Sequence, residues 1–289
     1  MRECKQKGFA KLNLYLDILH KREDGYHELC TVFQSIGLYD EISVRLRPGE
    51  EISLRCSLPY LPTDGRNLAV KAANLFYSET GLSSGLHINI LKTIPVGAGM
   101  AGGSTDAARV LDILNRLHGE PLSGETLEGL ALRLGADVPF CLNGGTVLAT
   151  GVGEKQSPLP PMPPCWLTVT KPRASVSTKD AYDLLDAMEA RELASPDTLL
   201  DGLKQGDLDK VCAGMFNAME APVSWRYPEI GRMKRTLLEN GAMTAMMTGS
   251  GSAVFGVFRE ETAARQAADA VGRMTDKTFV VRPIHRQNG

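Results

Sequence analysis

Hydrophobic and polar residues alternate along several short stretches in the first ninety residues. Between Ala10 and Ile18 the apolar side chains occupy every second position, and Lys11 and Asn13 belong to the opposite set. A period of two is typical of a strand with one buried face, so we predict a strand whose other face carries Lys11 and Asn13 side by side. The same alternation predicts strands over residues 42–46, 52–54 and 86–90.

Other segments repeat their apolar residues every three or four positions, as amphipathic helices do. This spacing predicts one helix over residues 107–114 and another that begins after Asn67 and ends at Gly81, both residues that suit helix ends. Strands and helices are interleaved without strict alternation, which favours the α+β class. Further helices are predicted around residues 127–134, 230–239 and 264–271, and further strands over 166–170, 253–258 and 278–281.

The sharpest break in composition is the proline-rich segment SPLPPMPP, residues 157–164. Proline fixes φ and lacks a backbone donor, so this segment is predicted to be an extended connector. It divides the chain into an N-terminal domain, residues 1–156, and a C-terminal domain, residues 157–289. Both lengths are ordinary for domains.

Composition excludes several classes of function. The 289 residues carry a net charge of −2, so we expect neither nucleic acid nor an anionic membrane surface as a partner. The six cysteines show no metal-ligand spacing and fit a reducing compartment. An uncharged run over residues 240–258 approaches membrane-spanning length, but its four glycines argue against a membrane helix. We expect a cytoplasmic protein.

The most informative segment is PVGAGMAGGSTDAA, residues 95–108, between a predicted strand and a predicted helix. Small residues let the backbone approach an anion, and the first N–H groups of a helix are unpaired. We therefore predict a phosphate-binding loop, and a flexible glycine turn with Ser104 as a simple N-cap is the alternative. Its candidate residues are Pro95, Val96, Gly97, Ala98, Gly99, Met100, Ala101, Gly102, Gly103, Ser104 and Thr105.

Three common glycine motifs do not explain this loop. Gly97, Gly99 and Gly102 satisfy GxGxxG, but the acidic strand end that a dinucleotide fold needs about 20 residues later is missing. Gly103 occupies the position where a Walker A loop has its lysine. The HRD and DFG segments of protein kinases do not occur in the sequence.

The glycine loop resembles the central ATP loop of the GHMP small-molecule kinases. The segments AKLNLYL, DGYHEL, LGADVPF followed by GVGE, and TGSGSAVFG are similar, in this order, to the branch that phosphorylates a CDP-linked methylerythritol. The resemblance implies the two-domain GHMP-kinase fold, with the active site in the cleft between the domains. It also implies ATP as cosubstrate and Mg²⁺, whose protein ligands the sequence does not identify.

The resemblance assigns the chemistry to two residues. Asp137 matches the family's catalytic aspartate, the base for the acceptor hydroxyl, and Lys11 matches the active-site lysine that stabilises charge. The reaction it implies is phosphorylation of the 2-hydroxyl of the methylerythritol portion, in the non-mevalonate isoprenoid precursor pathway. Taken alone, without the surrounding motifs, a residue such as Asp137 is more often an exposed loop acid, and one such as Lys11 is more often a solvated strand lysine.

A second group of residues is expected to bind the acceptor substrate. Tyr26 and His27 follow a predicted turn at Asp24-Gly25, and such rings can stack on a nucleobase and bond its edge. The resemblance implies that they bind the cytidine, whereas core packing is the alternative for the other aromatic candidates. The substrate-binding candidates are Asn13, Tyr26, His27, Phe33 and Tyr182.

Two details of the loops depend on the backbone. Ala98 and Ala101 stand where glycine is expected in relatives, and a methyl group there suits only a negative φ. The segment Thr248–Ser252 is a hairpin turn in the simplest interpretation. The resemblance implies that it supports the ATP loop.

Two other functions stay open at this point. One is a kinase of the same superfamily that acts on homoserine or mevalonate, against which the DGYH segment argues. The other is a catalytically silent nucleotide sensor, against which Lys11 and Asp137 argue. We expect a monomer or a weak homodimer.

Overall fold

The computed structural model describes residues 2–23, 25–188 and 194–285, so Asp24 of the predicted turn lies outside the described residues. The strands are β1 (Glu3–Lys21), β2 (His27–Arg47), β3 (Ile52–Cys56), β4 (Gly85–Leu91), β5 (Thr146–Gly151), β6 (Lys155–Pro158), β7 (Trp166–Thr170), β8 (Phe216–Asn217), β9 (Thr244–Met247), β10 (Val254–Phe258) and β11 (Thr278–Val281). The helices are α1 (Leu68–Thr80), α2 (Gly102–Leu117), α3 (Gly124–Leu134), α4 (Val138–Asn143), α5 (Thr178–Asp186), α6 (Asp197–Gln205), α7 (Leu208–Ala213), α8 (Glu220–Arg226), α9 (Pro228–Glu239) and α10 (Glu261–Gly272). Within these ranges, every helix is too short or too polar to span a bilayer.

The chain forms two compact units whose segments are interleaved in sequence, and β1 and β2 contribute residues to both. No single cut in the chain separates the two units. They therefore do not test the predicted domain boundary near residue 156, which stays a prediction. Unit 1 comprises Met1–Ala10, Leu38–Val96 and Ala101–Asn143. Unit 2 comprises Lys11–Gly37, Gly97–Met100 and Gly144–Gly289.

Unit 1 packs helices against a sheet. Strand β4 pairs antiparallel with β2 and parallel with β3. The alternating residues of the predicted strands, such as Ile42, Val44 and Ile88, are fully buried under α1, α2 and α3. The caps of α1 are confirmed: the Asn67 side chain accepts from the Ala69 N–H, and Gly81 adopts a left-handed φ of 67°. These elements hold the start of α2, where the glycine loop ends.

Unit 2 contains a second sheet, in the order β11-β7-β10-β9, with antiparallel pairing throughout. The predicted strands over residues 166–170, 253–258 and 278–281 are therefore confirmed. Helices α9 and α10 bury Met233, Leu237 and Ala264 in the same core as β10. Residues of β1 join this core, and β1 pairs with the short strand β8 at Tyr15 and Phe216.

The prediction of one buried face on β1 is only half right. Lys11 and Asn13 do share a face, but they are only 4% and 2% exposed, respectively. Tyr15 and Asp17 on the same face are buried as well. Alternation identifies a face that is polar; it cannot show whether distant segments cover that face.

The proline-rich connector is confirmed as irregular chain after its first residues. Ser157 and Pro158 still belong to β6, where they pair with β5. The rest of the segment has no helix or strand, and Met162 within it is buried. The connector therefore packs against unit 2 instead of extending freely into solvent.

A buried group of charges in unit 1 was not foreseen from the sequence. The Lys92 Nζ donates to Asp40 Oδ2 at 2.5 Å, to Asp106 Oδ2 at 2.7 Å and to the Gly102 carbonyl at 3.3 Å. Asp40 Oδ1 in turn accepts the backbone N–H groups of Thr93 and Ile94. The network ties the end of β4 to the first turn of α2, and so fixes where the helix begins.

Two carboxylates share one ammonium in this network. Burial raises the pKa of Asp106 to about 7, and Asp40 adds to the rise while Lys92 opposes it. Burial lowers the pKa of Lys92, but its two carboxylate neighbours outweigh that effect and raise it overall. Asp106 Oδ1 is buried and has no hydrogen-bond partner in the described chain. A proton on Asp106 therefore balances the charge of the group.

This network predicts a pH dependence of stability. The unfolded chain releases the Asp106 proton near the ordinary pKa of 3.8, whereas the folded protein holds it to about 7. Within that window the native state binds more protons, so stability falls as pH rises, by at most about 1.4 kcal/mol per pH unit. Asp106→Asn should remove this component, and urea unfolding of both proteins across the window measures it.

The control is Asp201→Asn, a change of an exposed residue on α6. Its unfolding free energy should run parallel to that of the wild type over the whole pH range. Parallel curves for Asp106→Asn as well would show that Asp106 is ionised in the folded protein at all these pH values. The assignment of the proton would then be wrong.

Candidate active site

The first half of the glycine loop, from Gly97 to Met100, belongs to unit 2 and lies on the turn Thr248–Ser252, whereas Pro95 and Val96 before it belong to unit 1. Gly99 has a φ of 73°, and a Cβ on it would lie 2.3 Å from the Thr248 carbonyl oxygen. Only glycine fits such a backbone approach. The Ala98 carbonyl also accepts the Ala253 N–H at 3.3 Å. The turn supports the loop, as the sequence analysis expects.

The same half of the loop is joined to β1. The Lys11 N–H donates to the Met100 carbonyl at 3.2 Å. A Cβ on Gly249 would lie 3.3 Å from Asn13 Oδ1, so the turn covers the polar face of β1. This cover is the physical reason why Asn13 is buried, and the Thr248 hydroxyl accepts the Asn13 N–H at 2.9 Å.

The second half of the loop opens helix α2 in unit 1. The N-cap position is Ala101, which makes no side-chain capping bond. The interpretation of Ser104 as N-cap is therefore wrong, because Ser104 lies inside the first turn. The first N–H groups of this 16-residue helix are left for another acceptor, which is the arrangement that an anion site requires.

Two residues of the second half depart from expectation. Ala101 has a φ of 57°, so the expectation that alanine here needs a negative φ is wrong. A left-handed alanine costs about 1 kcal/mol, which the surrounding contacts must offset. The Thr105 hydroxyl is fully buried in unit 1 and has no hydrogen-bond partner among the described residues. Its place among the phosphate-binding residues of the loop stays a prediction.

Lys11 is held by a polar network in unit 2. Its Nζ donates to Asn13 Oδ1 at 2.6 Å, and Asn13 Nδ2 donates to Thr31 Oγ1 at 2.8 Å. The Thr31 hydroxyl in turn donates to the Tyr15 carbonyl at 2.6 Å. The Lys11 Nζ also lies 5.1 Å from the centre of the Phe33 ring. The ammonium is thus fixed in direction before any ligand binds.

The candidates for the cytidine end cluster around His27. Its ring stacks on that of Tyr182, with centroids 4.5 Å apart and an angle of 20° between the planes. His27 Nε2 lies 3.0 Å from Asp186 Oδ1, a partner that the sequence analysis missed. Burial acts to raise the pKa of Asp186, but its bonds with His27 and Lys21 lower it overall. The carboxylate therefore stays charged beside the imidazole.

The other aromatic candidates differ in exposure. Tyr26 is 66% exposed, so its ring is accessible to a ligand, whereas Phe33 is buried in β2 beside Lys11. Tyr182 lies on α5, whose predicted cap is confirmed because the Ser177 side chain accepts the Asp180 N–H. The structure brings Tyr182 and His27 together in unit 2.

Asp137 stands at the start of a short helix in unit 1. Gly135 caps the C-terminus of α3 through its backbone N–H. The Asp137 carbonyl accepts the Cys141 N–H of α4 at 3.2 Å. The half-buried Arg109 on α2 donates to the Cys141 and Leu142 carbonyls at 2.7 and 2.9 Å. The segment that carries Asp137 is therefore anchored to the helix that follows the glycine loop.

The described part of the chain does not supply a dedicated metal cage. Within it, no three His, Cys, Asp or Glu side chains are grouped so that they could hold an ion. Mg²⁺ commonly retains waters and binds through substrate phosphates, so this donor set is compatible with a metal that arrives with a nucleotide.

Both halves of the chain match known families. Residues 67–145 match the family "GHMP kinases N terminal domain", and residues 199–277 match "GHMP kinases C terminal". The two matches fall on opposite sides of the proline-rich connector. They confirm the predicted α+β, two-domain GHMP-kinase fold.

The sequence is similar over nearly its whole length to curated relatives. It is 43% identical to the 4-diphosphocytidyl-2-C-methyl-D-erythritol kinase of Clostridium perfringens over 98% of this chain and 99% of the relative. The enzyme of the same name from Lachnoclostridium phytofermentans is 40% identical and covers 98% of each chain.

Solved structures agree with these relatives. A crystal structure of 4-(cytidine 5'-diphospho)-2C-methyl-D-erythritol kinase superposes with a TM-score of 0.81 and 34% identity, covering 97% of this chain and 99% of that one. Homoserine kinase from Cytophaga hutchinsonii has a TM-score of 0.79 at 21% identity, which shows a shared fold alone. The chain therefore belongs to the GHMP kinases and, within them, to the 4-diphosphocytidyl-2-C-methyl-D-erythritol kinase family.

Proposed function

We propose that this protein transfers the γ-phosphoryl group of ATP to the 2-hydroxyl of 4-diphosphocytidyl-2-C-methyl-D-erythritol, giving the 2-phosphate and ADP. This step belongs to the non-mevalonate route to isoprenoid precursors, and we place it in the cytoplasm. The observation that carries the proposal is the 43% identity over 98% of the chain to a relative named for this kinase. The structural details of the site support it.

The glycine loop binds the phosphates of ATP in this proposal. The N–H groups of Gly102, Gly103 and Ser104 open α2 and point along the positive end of the helix dipole. Gly99 fixes the preceding turn against Thr248, so the loop does not have to be ordered when the nucleotide binds. Mg²⁺ would bind to the nucleotide phosphates and neutralise part of their charge, and no protein ligand is assigned to it.

Asp137 and Lys11 act on the acceptor. Asp137 takes the proton of the 2-hydroxyl as its oxygen attacks the γ-phosphorus, while the bond to the bridging oxygen of ADP breaks. Lys11 stabilises the negative charge on the transferred group, and its bond to Asn13 keeps its ammonium oriented. Phosphoryl transfer needs mainly positioning and charge stabilisation, and these residues supply both.

The cytidine end of the acceptor binds at the aromatic group of unit 2. Tyr26 offers an exposed ring, and the stacked pair of His27 and Tyr182 offers a further face and an imidazole edge. Asp186 holds His27 in one orientation. A pyrimidine can stack on such rings and bond the imidazole.

A substrate panel tests the proposal. ADP release should require the CDP-linked methylerythritol and should stay at background with mevalonate or homoserine, because only the first carries a cytidine. A coupled assay of ADP release measures this. ADP release with mevalonate or homoserine instead would show that the protein is a GHMP kinase with a different acceptor. Nucleotide binding without release for any acceptor would favour a nucleotide sensor.

Replacement of the proposed base tests the chemical step. Asp137→Asn should lower kcat by about 10²–10⁴, the usual effect of losing a general base, with the KM for ATP nearly unchanged. Asp269→Asn, on an exposed position of α10, should have wild-type kinetics. Near-normal turnover by Asp137→Asn, with a normal melting temperature, would refute the assignment of Asp137.

A pair of glycine substitutions tests the phosphate loop. A Cβ on Gly103 of α2 or on Gly129 of α3 meets nothing within 4 Å, so both alanine variants should fold at least as well as the wild type. Only Gly103→Ala should weaken ATP binding, by about tenfold or more, because its methyl group would stand where phosphate approaches the backbone. Calorimetric titration with ATP measures this. Unchanged affinity would support the simple glycine turn.

A further inference from the structure

A second buried lysine lies outside the residues used so far. Lys171 follows β7 in unit 2 and is 7% exposed. Its Nζ donates to the Pro172 carbonyl at 3.0 Å, the Ala174 carbonyl at 2.9 Å and Ser175 Oγ at 3.4 Å. All three acceptors are neutral and come from the segment that immediately follows the lysine. The segment Pro172–Ser175 therefore curls around the ammonium.

This ammonium has no carboxylate partner in the part of the chain that the structure describes. Burial lowers the pKa of Lys171, and no neighbouring charge opposes that effect. The buried Lys92 of unit 1 differs, because Asp40 and Asp106 both contact it. A buried charge without a counter-ion is costly. The presence of a lysine at this buried position therefore indicates that an anion binds near it.

The position of Lys171 shows which anion site it serves. A Cβ on Gly97 would lie 3.6 Å from Ser175 Oγ, so the segment that holds the ammonium lies directly against the glycine loop. The Ser252 hydroxyl donates to the Ala174 carbonyl at 2.6 Å, which ties the segment to the turn that supports the loop. The Ser175 hydroxyl thus lies close both to the ammonium and to Gly97.

The glycine loop itself lacks a cation. No lysine or arginine occurs between Thr93 and Ala108, and Gly103 stands where a Walker A loop has its lysine. Backbone amides alone offer partial charges to a phosphate chain that carries several full negative charges. The Lys92 ammonium reaches the Gly102 carbonyl of the loop, but Asp40 and Asp106 neutralise it, so the ammonium that lies toward Gly97 is the one that supplies a full positive charge.

We propose that Lys171 is the cation of the nucleotide loop: its ammonium, held by Pro172–Ser175, stabilises the phosphate chain of ATP at Gly97. The inference rests on the proposed function, which supplies ATP as the ligand. Lys171 acts through the electric field and through Ser175, so it is a positioning residue. A purely structural role would instead use Lys171 only as a hydrogen-bond donor that shapes the segment.

Two substitutions separate charge from hydrogen bonding. Lys171→Gln keeps N–H donors for the carbonyls but removes the charge, whereas Lys171→Arg keeps both. Calorimetric titration with adenosine, AMP, ADP and ATP gives the affinity as a function of the number of phosphates. Lys171→Gln should bind ADP and ATP about tenfold more weakly and adenosine normally, and Lys171→Arg should recover most of the loss.

Two controls accompany these variants. Lys155→Gln removes an exposed cation on β6 and should bind all four ligands as the wild type does. Ser175→Ala removes the exposed hydroxyl between the ammonium and the loop, and should weaken ADP and ATP by about threefold without affecting adenosine. If Lys171→Gln does not fold, as judged by thermal melting, Ser175→Ala decides the question.

Several outcomes would overturn the inference. Equal affinity of Lys171→Gln, Lys171→Arg and the wild type for ATP would show that the charge is not used. An equal loss for adenosine and ATP would show a structural role. Weaker binding of CDP with normal binding of ATP would assign the ammonium to the diphosphate of the acceptor.

The kinetics distinguish this inference from the proposed function. If the wild type is active, Lys171→Gln should raise the KM for ATP about tenfold and leave the KM for the acceptor unchanged. Added salt should reduce the difference in the KM for ATP between the variant and the wild type. If the wild type binds ATP but phosphorylates no CDP-linked acceptor, the proposed function fails while the titrations still decide on Lys171. A wild type that does not bind ATP overturns both.

Discussion

The candidate site depends on the close approach of two main-chain segments, the loop at Gly97–Met100 and the turn at Thr248–Ser252. Gly99 has no side chain because the Thr248 carbonyl occupies the space. Asn217 fixes the turn from its other side, where its Nδ2 donates to the Met247 and Gly249 carbonyls. A loop clamped between carbonyls and a strand is rigid without help from a ligand. It can therefore present amides to a phosphate chain at little cost in conformational entropy.

The same packing determines the environment of the polar residues around it. The turn covers Asn13, and Lys11 is buried beside it, so a strand face that is expected to be solvated is instead an ordered, hydrogen-bonded polar interior. Buried polar groups that are fully hydrogen-bonded specify a single arrangement, which is useful where charge has to be stabilised in a fixed direction. Lys92 follows the same principle in unit 1, where its two carboxylates hold the start of α2.

The local features of the fold could be predicted from the sequence, and those that need distant partners could not. The alternation in β1, the caps of α1 and the glycine loop are all encoded within a few residues. The burial of Asn13 depends on a turn more than 230 residues later, and the network of Lys92 depends on Asp40, 52 positions earlier. Asp186 was missed for the same reason, because its contact with His27 spans 159 positions. The alternative in which Ser104 only caps a helix fails because helix α2 begins at Gly102, inside the loop.

The interleaving of the two units has a consequence for synthesis on the ribosome. All segments of unit 1 have been translated once Asn143 is in the chain. Unit 2 starts at Lys11, but its strand β2 meets Pro283 through a bridge at Ile36, so this pairing must wait until a residue 247 positions later has been translated. The nascent chain thus carries apolar strand residues such as Leu16 and Ile18 for most of its elongation before their core partners exist. Such a chain is exposed to misassembly during translation and benefits from chaperones.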